Sequence, residues 1–240
     1  MNQVCPVFKK EFFGYFRSPV GYVILAVFIM LLTGLAFFTG YYESNTANLD
    51  TLWNFLPWIF MVFIPATGMR LWAEEKRSGS IELLFTLPIS ITSAVVGKFL
   101  AAWLFISLGI VLTFPMALTT GYLGNPDWGI IMAGYFGSVL MAGSYLAISS
   151  VCSAMTQNQV ISFVLSVLIC FAVTLMGSDI LLSILGGLPS GLLDFIGNFS
   201  FYIHFQTITR GLIEMSALSF FGLLTIASLA INIVILKRQS

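Results

Sequence analysis

Charge is what this sequence has least of. Its 240 residues carry ten Lys and Arg and ten Asp and Glu, 8% of the chain. A soluble domain carries about 25%, so a water-exposed globule is excluded. A formal net charge of zero removes the basic surface that nucleic acid requires. Histidine occurs once, as His204, which excludes zinc sites built on paired histidines. It also leaves no base on another span for a nucleophile at Gly187-Leu-Pro-Ser-Gly191. The three cysteines, Cys5, Cys152 and Cys170, are scattered without metal-ligand spacing and read as small apolar filler. No G-x-x-x-x-G-K-[ST] occurs, so that loop cannot cradle a nucleotide. Asp179 is the only acid deep in an apolar run, too little for a proton relay. The chain reads as catalytically inert, with no cofactor and no metal of its own.

What is present is apolar length. Hydrophobic residues make up 58% of the chain, with a mean hydropathy of +0.98. A hydrocarbon core about 30 Å thick needs about 20 apolar residues per helix. Six runs fit: about 20–42, 52–71, 91–122, 129–155, 160–182 and 216–236. The fold class expected is therefore all-α and integral to a lipid bilayer, a single domain over 1–240. Residues 3–18 read as an interfacial helix, with Phe8, Phe12 and Phe16 on one face and Lys9, Lys10 and Arg17 supplying basic character. Kinks are expected at Pro57 and Pro65, and Pro115 interrupts the third run. Ala133, Gly137, Gly143 and Ala147 put small residues at four-residue spacings in the fourth, where helix backbones can approach closely.

Five charges fall within nine residues between Glu74 and Glu82, flanked by apolar runs. Such an insert belongs in water or headgroups, so 72–90 is expected as a loop. Ser80 can cap a short helix with Glu82 in its first turn, and Pro88 ends it. Two readings stay open: an amphipathic helix lying on the membrane, or a docking element for a cytoplasmic partner. A second unusual segment is 183–215. Gly186, Gly187, Pro189 and Gly191 open it with a tight reversal. Aromatic residues follow, among them Phe199, Tyr202 and Phe205, with Asp194, His204, Arg210 and Glu214 between them. It is too polar to span and too apolar for a free loop, which suits a re-entrant segment. Arg210 and Glu214, one helical turn apart, are expected to pair.

Lys and Arg set the orientation. With six spans, Lys9, Lys10, Arg17, Arg70, Lys76, Arg77, Lys98, Lys237 and Arg238 share one side and only Arg210 falls opposite. Both termini and 72–90 are expected to be cytoplasmic.

These stretches resemble the ABC-2 type permeases, nearest the gliding-motility branch, which is related to the permease of the nitrous-oxide-reductase maturation transporter. Phe8-Lys-Lys-Glu-Phe-Phe-Gly-Tyr-Phe-Arg-Ser-Pro19, then Gly21-Tyr22, is similar to the family's leading helix. Glu75, Gly79, Ser80, Glu82, Leu84 and Pro88 occupy its E-x-x-x-G-[ST]-x-E-x-L-x-x-x-P pattern. Tyr202 through Gly211 resembles the aromatic run before its last helix. The resemblance implies a bacterial inner-membrane permease that works with two ABC ATPase subunits, which bind ATP and Mg, and with a second permease subunit, identical or different. An extracytoplasmic partner protein is also implied. Glu74, Glu75, Arg77, Gly79, Ser80, Glu82, Leu84 and Pro88 would then form the coupling element. Phe199, Tyr202, His204, Phe205, Arg210 and Glu214 are expected to form an outer gate or partner platform. Glu74-Glu75 also resembles the paired glutamates of intramembrane CAAX-type proteases, but Gly79 stands where their Arg belongs. An intramembrane hydrolase and a non-transporting scaffold subunit are the alternatives.

Overall fold

The computed structural model describes residues 4–41, 46–82, 89–176, 197 and 199–239. Among these it is helical, without strands. The helices are α1 (Val4–Arg17), α2 (Pro19–Phe38), α3 (Asp50–Gly68), α4 (Arg70–Ser78), α5 (Ile91–Val111), α6 (Phe114–Leu123), α7 (Trp128–Met155), α8 (Gln159–Leu175), α9 (Phe201–Thr209) and α10 (Met215–Lys237).

The starts follow local chemistry. Ser18, Ser90, Asp127, Asn158 and Ser200 each turn a side-chain oxygen onto the first free amides of α2, α5, α7, α8 and α9, as short polar side chains do at helix N-termini. Pro19 occupies the first turn of α2, where its missing N–H costs nothing.

Among the described residues, five helical runs are long and apolar enough to cross a membrane: Pro19–Phe38, Asp50–Ser78, Ile91–Leu123, Trp128–Met155 and Met215–Lys237. The expected count was six. The fifth expected span contributes α8, an apolar helix of 17 residues, and its continuation to 182 lies outside the described residues. Pro115 sits in the first turn of α6, so the third run is divided into α5 and α6 by Leu112 and Thr113. The prolines of the second run behave otherwise. Pro57 and Pro65 lie inside α3, and the interruption falls at Met69, whose φ of −57° and ψ of −25° stay helical. The charged stretch expected as a loop from 72 is therefore helix as far as Ser78. The reason is burial: Leu71, Trp72 and Ala73 are in the core, so the chain stays helical to satisfy its backbone.

α7 is the axis of the bundle. It packs against α3, α4, α5, α8, α9 and α10, and most of its residues are buried. Small residues make this possible. A Cβ on Gly134 would lie 2.5 Å from the Trp53 ring, and one on Gly68 would lie 2.3 Å from Ser149 Oγ. α1 lies outside this axis, against α5 and α2. Tyr15 stacks on Phe105 at 4.5 Å, and Val7 meets Gly97.

Candidate functional site

The charged end of the bundle is built on α4. Its first amides lack partners within the helix, because Met69 offers no capping side chain. Ser153 of α7 supplies the cap from across the interface. Its Oγ accepts from Trp72 N and Ala73 N, each at 3.0 Å, and donates to Met69 O at 2.8 Å. One turn away, Ser150 Oγ accepts from the Trp72 indole N–H at 3.3 Å and from Asn232 Nδ2 of α10 at 2.5 Å. Lys76 donates to the Ala154 carbonyl. Three helices are thereby fastened at one level.

A second fastening is ionic. Lys98 of α5, with a side chain 4% exposed, reaches Glu75 Oε1 at 2.6 Å and Glu11 Oε1 at 3.1 Å. Its ammonium lies 5.1 Å from the centre of the Trp72 ring, close enough for a cation–π contribution. α1, α4 and α5 thus meet on one buried cation. Burial, and then the Glu11 carboxylate, push the Tyr15 phenol above its ordinary range, so it stays neutral.

α4 ends at Gly79, whose φ of 72° is the left-handed conformation that favours glycine. Ser80, Ile81 and Glu82 resume helical geometry. Ser80 Oγ reaches back to the Glu75 carbonyl at 3.4 Å and to Ser78 Oγ at 2.9 Å. Leu84 and Pro88 lie outside the described residues. Glu74, Arg77 and Glu82 are exposed, whereas Glu75 is turned inward. Beside the Gly79 turn is a cleft of about 350 Å³, lined by Lys76, Glu82, Gln157 and Gln239 among others. The end of α4, the turn after α7 and the C-terminal end of α10 therefore share one face.

The opposite end carries α9. Phe201 and Phe205 are core residues. Phe201 stacks on Tyr145 at 4.4 Å, and Phe205 meets Trp53 edge-on. His204 stacks on Phe220 at 4.4 Å. Tyr202 is half-buried, and Phe199, Arg210 and Glu214 are exposed. The expected Arg210–Glu214 pair does not form. Gly211, with φ 85°, breaks the helix between them, and Glu214 instead accepts from Ser216. Arg210 faces a cleft of about 250 Å³ with Asp50 and Gln206. Residues 183–196, including Asp194, lie outside the described residues. Among the described residues no group of His, Cys, Asp or Glu could hold a metal.

Reasoning from sequence missed Lys98, Glu11 and Ser153. A lone lysine seven residues inside an apolar helix was the available signal; Ser153 offered none, since serines in apolar helices usually bond to their own backbone.

Residues 38–236 match the family described as ABC-2 family transporter protein. The chain belongs to that family. It is accordingly a multi-pass transmembrane permease of an ABC transporter, a class of membrane subunit that is generally non-catalytic. The family implies partnership with an ABC ATPase subunit and a bilayer. The match takes in α3 to α9 whole and most of α10, and begins at the last residue of α2; α1, with Glu11, precedes it. No curated protein matches the chain.

Proposed function

We propose that this ABC-2 permease receives ATP-driven motion at the Gly79 face and transmits it through α4 into the bundle. The observation that carries the reading is the double fastening of α4, by Ser153 to α7 and by Glu75 and Lys98 to α5 and α1. A helix held on both sides moves its neighbours when its free end is pushed. That end presents Arg77, Gly79, Ser80 and Glu82 beside a cleft wide enough for partner side chains. On this reading two ATPase subunits, with their ATP and Mg, sit on the cytoplasmic face of a bacterial inner membrane. The six-span count, with α8 continuing as the fifth, is part of the proposal and keeps both termini on that face.

The resemblance to the gliding-motility branch favours a second permease subunit and either export or work on an extracytoplasmic partner. α9 and its flanks would serve as outer gate or platform, supported by the polar cleft between Arg210 and Asp50.

Sidedness is directly measurable. Cys5 is exposed whereas Cys152 and Cys170 are buried, so Cys5→Ser gives a quiet background. Single cysteines at Ser78 and Asn125, both exposed, should then label from opposite sides with an impermeant thiol reagent, Ser78 from the cytoplasm. Labelling of both from one side would sink the topology.

A further inference from the structure

One cleft serves neither face described above. It opens where α1 turns into α2 and α3 passes into α4, has a volume of about 240 Å³, and is lined by Glu11, Tyr15, Val20, Ile24, Arg70 and Glu74, among others. Its lining combines two apolar residues of the first turns of α2 with three charged side chains. α2 starts here a run long and apolar enough to cross the membrane, and α3, the apolar part of the second run, ends here at Gly68 ahead of the charges of α4, which puts this end at the membrane boundary. The cleft is therefore at headgroup level.

Its charge does not close internally. Of its lining, Glu11 and Glu74 are negative and Arg70 is positive. Lys98 is taken up by Glu11 and Glu75. Among the described residues no carboxylate lies within ion-pair distance of Arg70, and Arg70 and Glu74 are exposed. The lining thus offers one guanidinium, suited to a phosphate, and beside it a surplus of one negative charge, suited to a compact cation. The Tyr15 ring, stacked on Phe105, is part of the wall.

We propose that this cleft binds a zwitterionic phospholipid with a primary amine, a phosphatidylethanolamine. Arg70 takes the phosphate, Glu74 takes the ammonium, and Val20 and Ile24 meet the start of an acyl chain. A trimethylated headgroup has no N–H to donate to the carboxylate. A glycerol headgroup brings an anion without a cation and adds to the surplus. The order of preference is therefore ethanolamine over choline and over glycerol.

Delipidated full-length chain in detergent, titrated with the three lipids bearing identical acyl chains, tests this by native mass spectrometry. Phosphatidylethanolamine should be retained at least about tenfold better than either competitor, the size of one charge-assisted hydrogen bond. Arg70→Gln and Glu74→Gln alter exposed residues and should each abolish that preference without lowering the melting temperature. Gly14→Phe keeps every charge. Gly14 lines the cleft and a Cβ there meets nothing within 4 Å, so the added ring is expected to occupy the cleft, and the preference should again vanish. Soluble phosphoethanolamine, lacking the acyl chains, should displace little lipid at equal concentration. Equal retention of all three lipids would overturn the proposal, as would phosphatidylglycerol matching phosphatidylethanolamine. So would a preference that survives Arg70→Gln or Gly14→Phe, or full displacement by phosphoethanolamine.

Discussion

Lys98→Met should destabilise the chain by about 3–5 kcal/mol, because it leaves two carboxylates facing each other without their shared cation. Lys98 is nearly inaccessible, and Glu11 and Glu75 are each less than a quarter exposed, so water cannot screen the exposed repulsion as it would at a surface. The loss belongs to uncompensated charge rather than to missing methylenes. The triple variant Glu11→Gln, Lys98→Met, Glu75→Gln should therefore recover most of the stability, since apolar or neutral replacement of a whole buried ion group is often neutral. Melting in detergent, followed by tryptophan fluorescence, measures both, and Trp72 reports on the site directly through its contact with Lys98. A triple variant as unstable as Lys98→Met would show that the three side chains act through packing and not through charge.

Ser153→Ala should cost more than any other single serine substitution in α7. It strips a shared partner from two buried amides and one carbonyl at the start of α4, and each buried polar group left unmade costs about 1–3 kcal/mol. Ser144→Ala is the matched control. Ser144 bonds the Phe221 carbonyl, but Thr225 already donates to that carbonyl at 2.8 Å, so nothing is orphaned and the cost should stay near about 1 kcal/mol. Thermal melts of the two variants side by side should differ clearly. Equal shifts would mean that α4 holds its geometry without the cap from α7. In a reconstituted transporter the same variant should loosen the link between α4 and α7, lowering transport more than ATP hydrolysis.

Much of this architecture was legible before any coordinates. Apolar runs of membrane length and the proline at 115 act through local chemistry, and each left its mark where local chemistry acts; Ser80, expected to cap a helix start, instead turns its hydroxyl back to the Glu75 carbonyl beyond the Gly79 turn. The errors have a common cause, which is that tertiary partners decide them. Residues 72–78 carry loop-like charge, yet they stay helical because Trp72 and Ala73 are buried and Ser153 satisfies their amides. Arg210 and Glu214 have helical spacing, but Gly211 takes a left-handed conformation between them. Glu75 looked like a surface charge for a partner because its cation comes from position 98 and its second neighbour from position 11. No window of sequence contains those three residues together. Ser153 is harder still, since its role depends on which helix α7 meets at that level.

The central claim is that ATP hydrolysis elsewhere is coupled to this chain through the Gly79 turn. The measurement that tests it most directly is ATP turnover by the ATPase that copurifies with the chain, reconstituted in nanodiscs with wild-type permease, with Gly79→Val, and without permease. A β-branched residue at φ 72° strains the turn by about 1–2 kcal/mol, while no neighbouring atom obstructs it, so assembly should survive and coupling should not. The account predicts turnover that depends on the permease and falls severalfold with Gly79→Val in complexes of unchanged composition. Turnover indifferent to the presence of the permease, or unchanged by Gly79→Val, would contradict it.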